Sequence, residues 1–447
     1  MISHGNLLTS LKALLARVKI GYAYSEKDLY VAYLPLAHVL ELCCEVGFVI
    51  NGVRIGYSSP NTLTDQSTAI KSGELGDLRK LQPTIMTAVP TVLERLSKAV
   101  KDKVAEQGGI KKDLFDTAYP IKLKNYQNEK NTTLMDKIIF GKINATILGG
   151  RVQILMTGGA MLNKDVHEFG QACLCKVFQG YGLTETSGGC SMQYPFQTAY
   201  NEVGGIAECS EVRLVDWPEG NYRTTDKPSP RGEIWIGGAN VTLGYYKMPD
   251  KTAEDFHEID GTRYFATGDI GEMTPSGNLK IIDRKKDLVK LQGGEYVSLN
   301  KVESVIKLLP MVDNACVIAN PSKSYCVCLI SPNFKKMQEM YGTNVTTVNE
   351  VNAVNIELKE KSRRTSVEIM GDILSNLERD KEFVSKFNKE VLDHCLKKGL
   401  ERFEVPTKCK LVKEAWLPAT GLVTDSLKLK RKEIENFYAK DIDVLYS

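Results

Sequence analysis

The chemistry in this chain is concentrated between Gln179 and Gly189, QGYGLTETSGG, where four glycines and three Thr or Ser fall within eleven residues. Such a run makes a poor helix or sheet interior but a good loop, because glycine lets backbone N–H groups approach an anion closely. A phosphate or nucleotide contact is the function that pattern suits. Glu185 offers a carboxylate to a hard cation such as Mg2+, which takes oxygen ligands and commonly keeps nucleotide phosphates among them. Thr184 sets a hydroxyl beside it, Tyr181 presents a flat face to a base, and Gly180 and Gly182 leave room for the ring. A solvent-exposed turn has the same composition, since short Gly/Thr/Glu motifs recur by chance.

Other stretches carry chemistry in the same ambiguous way. TGGA puts Gly158, Gly159 and Ala160 at the carboxyl end of a short apolar strand, where α/β sheets hold ligands; an ordinary turn reads identically. GDI places Asp269 in a tight turn after Thr267-Gly268. An ionised Asp has only acceptors and could receive both hydroxyls of a ribose, although an Asp in a turn commonly bonds its own backbone. DRKKD, from Asp283 to Asp287, is a run of charges that cannot be buried without partners, which predicts a linker or hinge or a charged surface turn. Within it, Arg284 has the planar fork of donors that suits ribose or phosphate. Gly293-Gly294 forms a second flexible turn, and Lys428 lies in a Gly/Thr/Ser loop just before a basic helix start, LKLKRK, which by charge alone reads as a solvated face. His38 is a lone titratable ring among apolar neighbours in YLPLAHVLEL, a setting typical of a hydrogen-bonded core histidine.

The elements that must position these residues alternate. CLCKVF, before the central loop, and Val152–Met156, before TGGA, read as buried strands. Asn6–Ile20 has the spacing of an amphipathic helix, YLPLAH is strand-like to Pro35 and helical to Glu41, and RIGYSSP and TIMTAVPTVLERL read as strand, turn, strand and helix, with Pro90 opening the helix. The lysine-rich span from Lys98 to Lys142 reads as a helical surface excursion. After the central loop, EVRLVDW and GEIWIGG predict half-buried strands joined by DKPSPRG, with Trp217 and Trp235 as core aromatics. Beyond DRKKD, Leu299, Val302, Val305, Ile306 and Leu309 make a helical stripe, NACVIA and SYCVCLIS read as strands, and a charge-rich helical region runs from about Val367 to Leu400. The expectation is an α/β large domain over 1–284 and a small α+β domain over 285–447.

With 447 residues, the chain exceeds one ordinary core. A hydrophobic content of 43% and a net charge of +3 indicate a globular protein with no reason to bind nucleic acid. Its 11 cysteines are scattered without zinc spacing, which predicts reduced thiols; the sequons at Asn131, Asn144 and Asn344 then carry no weight. No apolar run is long enough to span a bilayer, and the first residues lack a signal-peptide layout, so the chain alone is expected to be soluble or peripheral.

QGYGLTET together with TGGA, YFATGDIGE, IIDRKKDLVKLQGGEYVSLNKVE and GLVTDSLKLKRKE, in that order, resembles the motif set of the adenylate-forming enzymes. YLPLAHVLEL, IGYSSP and GLERFEVP make it most similar to the animal long-chain acyl-CoA synthetases, in the branch including the polyunsaturated-acyl-preferring enzyme. The resemblance implies ATP-dependent activation of a long-chain fatty acid through an acyl-adenylate, then transfer to coenzyme A, with Mg2+. It implies that Gly158, Gly159, Ala160, Gly180, Tyr181 and Gly182 face the nucleotide, that Asp269 contacts its ribose and Arg284 its ribose or phosphate, and that Thr184 and Glu185 hold metal and phosphate. Lys428, with Lys430 as fallback, would be the catalytic lysine of a mobile lid, Lys286 its hinge, Gly293-Gly294 its coenzyme A side, and His38 an acyl-site candidate. Relatives work at the cytosolic face of membranes, of the endoplasmic reticulum, mitochondrial outer membrane or lipid droplets, through an upstream anchor.

In that family a Ser/Thr/Gly-rich loop ending in Pro-Lys-Gly precedes the segment matching MISHGNLL. The expectation is a large domain incomplete at its N-terminus, with impaired turnover for want of that triphosphate loop. A non-catalytic form that binds acyl chain, nucleotide or full-length enzyme is the alternative.

Overall fold

A computed structural model describes residues 1–65, 67, 69–71, 73–128, 132, 135–333, 336–337, 377, 379–414, 416–424 and 427–447. The chain forms two compact units, Met1–Lys285 and Lys286–Ser447.

The first unit opens with α1 (His4–Gly21), capped by Ser3, whose hydroxyl accepts from the Asn6 N–H. Then come β1 (Leu29–Ala32), α2 (Val39–Ile50), β2 (Arg54–Tyr57), α3 (Asp77–Leu81), β3 (Ile85–Ala88), α4 (Pro90–Gln107), α5 (Gly109–Gln127), α6 (Gly141–Leu148), β4 (Ile154–Thr157), α7 (Lys164–Cys173) and β5 (Lys176–Tyr181). Short strands β6 (Ser191–Met192) and β7 (Gly205–Ile206) complete a sheet whose order among the described residues is β2-β1-β3-β4-β5-β6-β7. β1 to β5 are parallel and the last two pairings antiparallel. Parallel strands are covered on both faces, so they lose the alternation of a half-solvated strand; all of Ile85–Ala88 is buried. Tyr30, Phe48, Ile85, Ile154 and Phe178 form the core, and α4, α5 and α7 pack against one another beside it.

A second, antiparallel sheet follows from β8 (Glu211–Val215), β9 (Arg231–Gly237), β10 (Phe256–Ile259), β11 (Thr262–Met273) and β12 (Leu279–Arg284), with α8 (Pro249–Asp255) leading into β10. The order is β10-β11-β9-β8, with β12 on β11.

The second unit has a hairpin of β13 (Leu288–Lys290) and β14 (Tyr296–Ser298), then α9 (Leu299–Ile306), β15 (Val312–Ala319), β16 (Cys326–Pro332), α10 (Lys381–Lys397), β17 (Lys408–Leu411), α11 (Arg431–Phe437) and α12 (Ala439–Tyr446). β16 is buried along its whole length. α9 and α10 close one side of the β15-β16-β17 sheet, while Trp416, Ile434 and Tyr438 fill the other. An α/β first unit and an α+β second one match the expected fold class.

Several expectations need correction. The strand of YLPLAH ends at Ala32, and the helix runs on to Ile50. CLCKVF is not one strand: Cys173 ends α7, and pairing with β4 continues through Gln179, so Gln179–Tyr181 is strand and the loop begins at Gly182. Trp217 and Trp235 are half-exposed rather than core, stacked on Tyr222 and His257. Leu309 is buried but lies past the end of α9. The expected helix from Val367 is seen as α10 over Lys381–Lys397; residues 367–376 and 378, like Asn131 and Asn344, lie outside the described residues. Among the described residues no helix is long and apolar enough to cross a membrane.

Candidate functional site

The carboxyl ends of β4 and β5 lie side by side, with Thr157 paired to Gln179, and this brings Gly158-Gly159-Ala160 beside Gly180-Tyr181-Gly182. Backbones approach closely there: a Cβ added at Gly182 would sit 2.4 Å from the Gly188 carbonyl oxygen. Gly182 therefore has no room for a side chain. The loop folds back on itself as a single tight turn, Thr184–Thr186, with the Gly188 N–H donating to the Leu183 carbonyl at 2.9 Å.

Residues outside the motifs hold that loop. Asn240, wholly buried, donates to the carbonyls of Thr186 (3.1 Å) and Gly189 (2.7 Å), and its own carbonyl accepts from the Ser187 hydroxyl. Asn6 of α1 donates in turn to the carbonyls of Ala239 and Val241. The legible signal was a single amide amid apolar residues. Cys43 of α2 donates to the Ser187 carbonyl at 3.4 Å, so the loop also rests on the helix that His38 caps. His38 Nδ1 accepts from the Leu40 N–H at 3.2 Å.

Asp269 is 4% exposed and lies not in a turn but within β11, at a bulge where pairing with β9 slips between Ala266 and Ile270. Gly268 adopts φ +70 there, a conformation glycine takes without strain. The Asp269 backbone N–H donates to the Thr267 hydroxyl, which donates to the Ile234 carbonyl. The Tyr181 hydroxyl donates to Asp269 Oδ2 at 2.6 Å, and Arg284 Nε, from the paired position on β12, lies 3.2 Å from Oδ1. Burial and then the Asp269 charge hold the Tyr181 phenol well above its ordinary pKa, so it remains a donor. Tyr181 is thus tied by its edge rather than left as a loose face. Part of the charged run beyond is paired: Lys285 Nζ meets Glu233 at 2.7 Å, and Glu233 also accepts from the Gly268 N–H, while Lys286 is exposed.

Glu185 Oε1 accepts from the Tyr245 hydroxyl at 2.8 Å, and Thr184 beside it is exposed. These are oxygen donors, the type a hard cation takes. Among the described residues no cluster of three or more His, Cys, Asp or Glu could hold a metal ion. A Mg2+ ion at Glu185 and Thr184 would therefore take most of its ligands from phosphate and water.

In the second unit, Gly293-Gly294 is the turn of the β13–β14 hairpin, and Gly294 has φ +97. Lys286 opens the unit within the turn Lys285–Asp287. Lys428 is half-buried in a loop braced by Thr424, whose hydroxyl accepts from the Lys428 N–H; Lys430 is exposed and caps α11.

A doubly wound sheet with a glycine loop at its carboxyl edge, faced by a carboxylate from an antiparallel sheet and followed by a small α+β unit, defines the adenylate-forming architecture. The AMP-binding enzyme family matches residues 1–246, more than half of the chain, and the chain belongs to it. It is 40% identical to long chain acyl-CoA synthetase 8 of Arabidopsis thaliana, over 100% of this chain and 59% of the relative. It is 32% identical to long-chain-fatty-acid–CoA ligase 1 of Saccharomyces cerevisiae, over 100% and 60%. The chain thus spans about 60% of the length of these curated relatives. Among solved structures it resembles the A domain of carboxylic acid reductase from Segniliparus rugosus in complex with AMP and a co-purified carboxylic acid, with TM-score 0.72, 21% identity, and coverage of 99% and 58%. It also resembles the o-succinylbenzoate coenzyme A synthetase of Bacillus subtilis in complex with ATP and magnesium, with TM-score 0.58, 18% identity, and coverage of 97% and 66%. These likenesses carry the fold.

Proposed function

We propose that the protein activates long-chain fatty acids: the carboxylate attacks the α-phosphorus of ATP to give acyl-adenylate and pyrophosphate, and the thiol of coenzyme A then displaces AMP. The observation that carries this reading is the Tyr181–Asp269–Arg284 constellation beside two glycine turns. Asp269 is a buried acceptor reached by the Tyr181 hydroxyl and by Arg284 Nε, and a carboxylate offers about four lone-pair sites, the acceptor type that ribose hydroxyls require. Gly158, Gly159, Ala160, Gly180 and Gly182 give a nucleotide close access to backbone. Thr184 and Glu185 take the metal and phosphate side; bound Mg2+ supplies charge neutralisation at the phosphates. Lys428 stabilises charge as it moves between acyl and phosphorus oxygens. The domain bearing it turns about Lys286, and the Gly293-Gly294 turn then serves coenzyme A. His38 borders the acyl side. The cytosolic face of a membrane, where long-chain acyl groups reside, is the location this chemistry fits.

The test is ATP–pyrophosphate exchange by the intact gene product across acyl chain lengths, alongside AMP binding. Exchange dependent on a long-chain acid supports the reading; exchange driven only by short or aromatic acids defeats it. Asp269→Asn should weaken AMP roughly 10- to 100-fold, the equivalent of losing about 1.5–3 kcal/mol of charge-assisted hydrogen bonding.

A further inference from the structure

The loop that carries Lys428 ends at Lys430, and the next residue, Arg431, is the first of α11. Its guanidinium turns into the second unit. Nη2 lies 2.8 Å from Glu303 Oε1, Nε lies 3.5 Å from Asp287 Oδ1, and Nη1 donates to the Val317 carbonyl at 2.6 Å and lies 3.4 Å from Cys316 Sγ. Each main partner belongs to a different element: Asp287 closes the turn that contains Lys286, Glu303 is on α9 and Val317 on β15. Both carboxylates are themselves fixed. Glu303 accepts from the Val317 N–H at 2.8 Å and Asp287 from the Asn300 amide at 3.0 Å. The side chains of Arg431, Asp287 and Glu303 are 18%, 13% and 5% exposed, so the pairing is shielded from salt and water.

On the other side, the three residues from Lys428 to Lys430 are cross-braced. The Thr424 N–H donates to the Lys428 carbonyl at 2.8 Å, the Lys428 N–H to the Thr424 hydroxyl, and the Lys430 N–H to the Leu422 carbonyl. An antiparallel bridge joins Val423 and Leu429. Little slack is left between the guanidinium and the Lys428 backbone.

We infer that Arg431 is a positioning residue that fixes the Lys428 loop to the turn containing Lys286, so that the lysine moves with the pivot as one piece. The inference rests on the proposed roles of Lys428 and Lys286. A cation that stabilises a transition state acts best when it is held beforehand, and a misplacement of about 1 Å can lower a rate roughly 100-fold. Only a forked side chain reaches two carboxylates and a carbonyl together; a lysine in its place is a point charge with fewer donors.

The experiment measures the two half-reactions separately in the intact protein, with ATP–pyrophosphate exchange for the first and release of AMP from synthetic acyl-adenylate by coenzyme A for the second. Arg431→Gln is expected to lower kcat for exchange roughly 100-fold with the KM for ATP little changed, and to leave thioester formation within about twofold. Arg431→Lys should fall between. A triple variant, Arg431→Gln with Glu303→Gln and Asp287→Asn, removes both carboxylates that lose their counter-charge and should recover the melting temperature without recovering exchange. Equal losses in both half-reactions that track the melting temperature would reduce Arg431 to a structural role and overturn the inference. If Lys428→Ala abolishes exchange and Arg431→Gln does not, the inference alone falls. If Lys428→Ala exchanges normally, the assignment of Lys428 falls first and takes the inference with it.

Discussion

Glu41 is fully buried on α2, and both its oxygens lie 2.9 Å from the Tyr30 hydroxyl, a single donor shared between them. Burial pushes its carboxyl up to about 7, against the opposing pull of that hydrogen bond. The folded state therefore binds a proton more tightly than the unfolded chain, and stability falls as pH rises between about 4.5 and about 7. Glu41→Gln does not titrate, so its stability relative to the parent should improve by up to ~3 kcal/mol across that window. Urea melts at pH 5 and pH 8 check this; an unchanged difference would mean that Glu41 ionises normally. Asp269 shows the same dependence on surroundings at the residue scale. Its carboxylate was legible as an acceptor, but its donors were not, because Tyr181 and Arg284 reach it from 88 positions upstream and from the neighbouring strand.

At the scale of elements, the glycine loop is held by hydrogen bonds from outside it. Asn240→Ala removes the donors to Thr186 and Gly189, leaves two carbonyls short of partners, and should destabilise the first unit by about 1–3 kcal/mol. A loss of AMP affinity exceeding the loss of stability, read by titration calorimetry, would indicate that the clamp also shapes the site. Gly182→Ala should be worse than its size suggests, since the new methyl meets backbone rather than a side chain able to move; soluble yield and AMP binding should both fall. Helices were legible from their apolar spacing, as in α1, and parallel strands from short apolar runs without alternation, as in β3. Boundaries were less so: CLCKVF has a strand's composition, yet Cys173 closes a helix, because the pairing partner β4 decides where β5 begins. The bulge at Gly268 was hidden for a similar reason, as T-G-D is also the wording of a turn.

At the scale of the molecule, the chain divides after Lys285, inside the charged run, and several of the run's side chains are paired in ways the sequence does not display. Lys285 is paired with Glu233 in the first unit, and Asp287 is held by Asn300 and Arg431 in the second, while Asp283 is buried at the end of β12. The run is a set of anchors. No local pattern reveals partners that lie from 13 to over a hundred positions away. Lys286→Pro, which fixes φ near −65° at that one residue, should slow thioester formation more than adenylation, measured by the two half-reactions above.

Because each unit has its own core, a calorimeter should register two heat-absorption peaks, and their spacing becomes a ligand meter that needs no turnover. A compound gripped solely by the Asp269 region shifts one peak, by the mass-action stabilisation of whatever it binds. An inert adenylate mimic that shifts the second unit's peak as well would support the proposed role of Lys428.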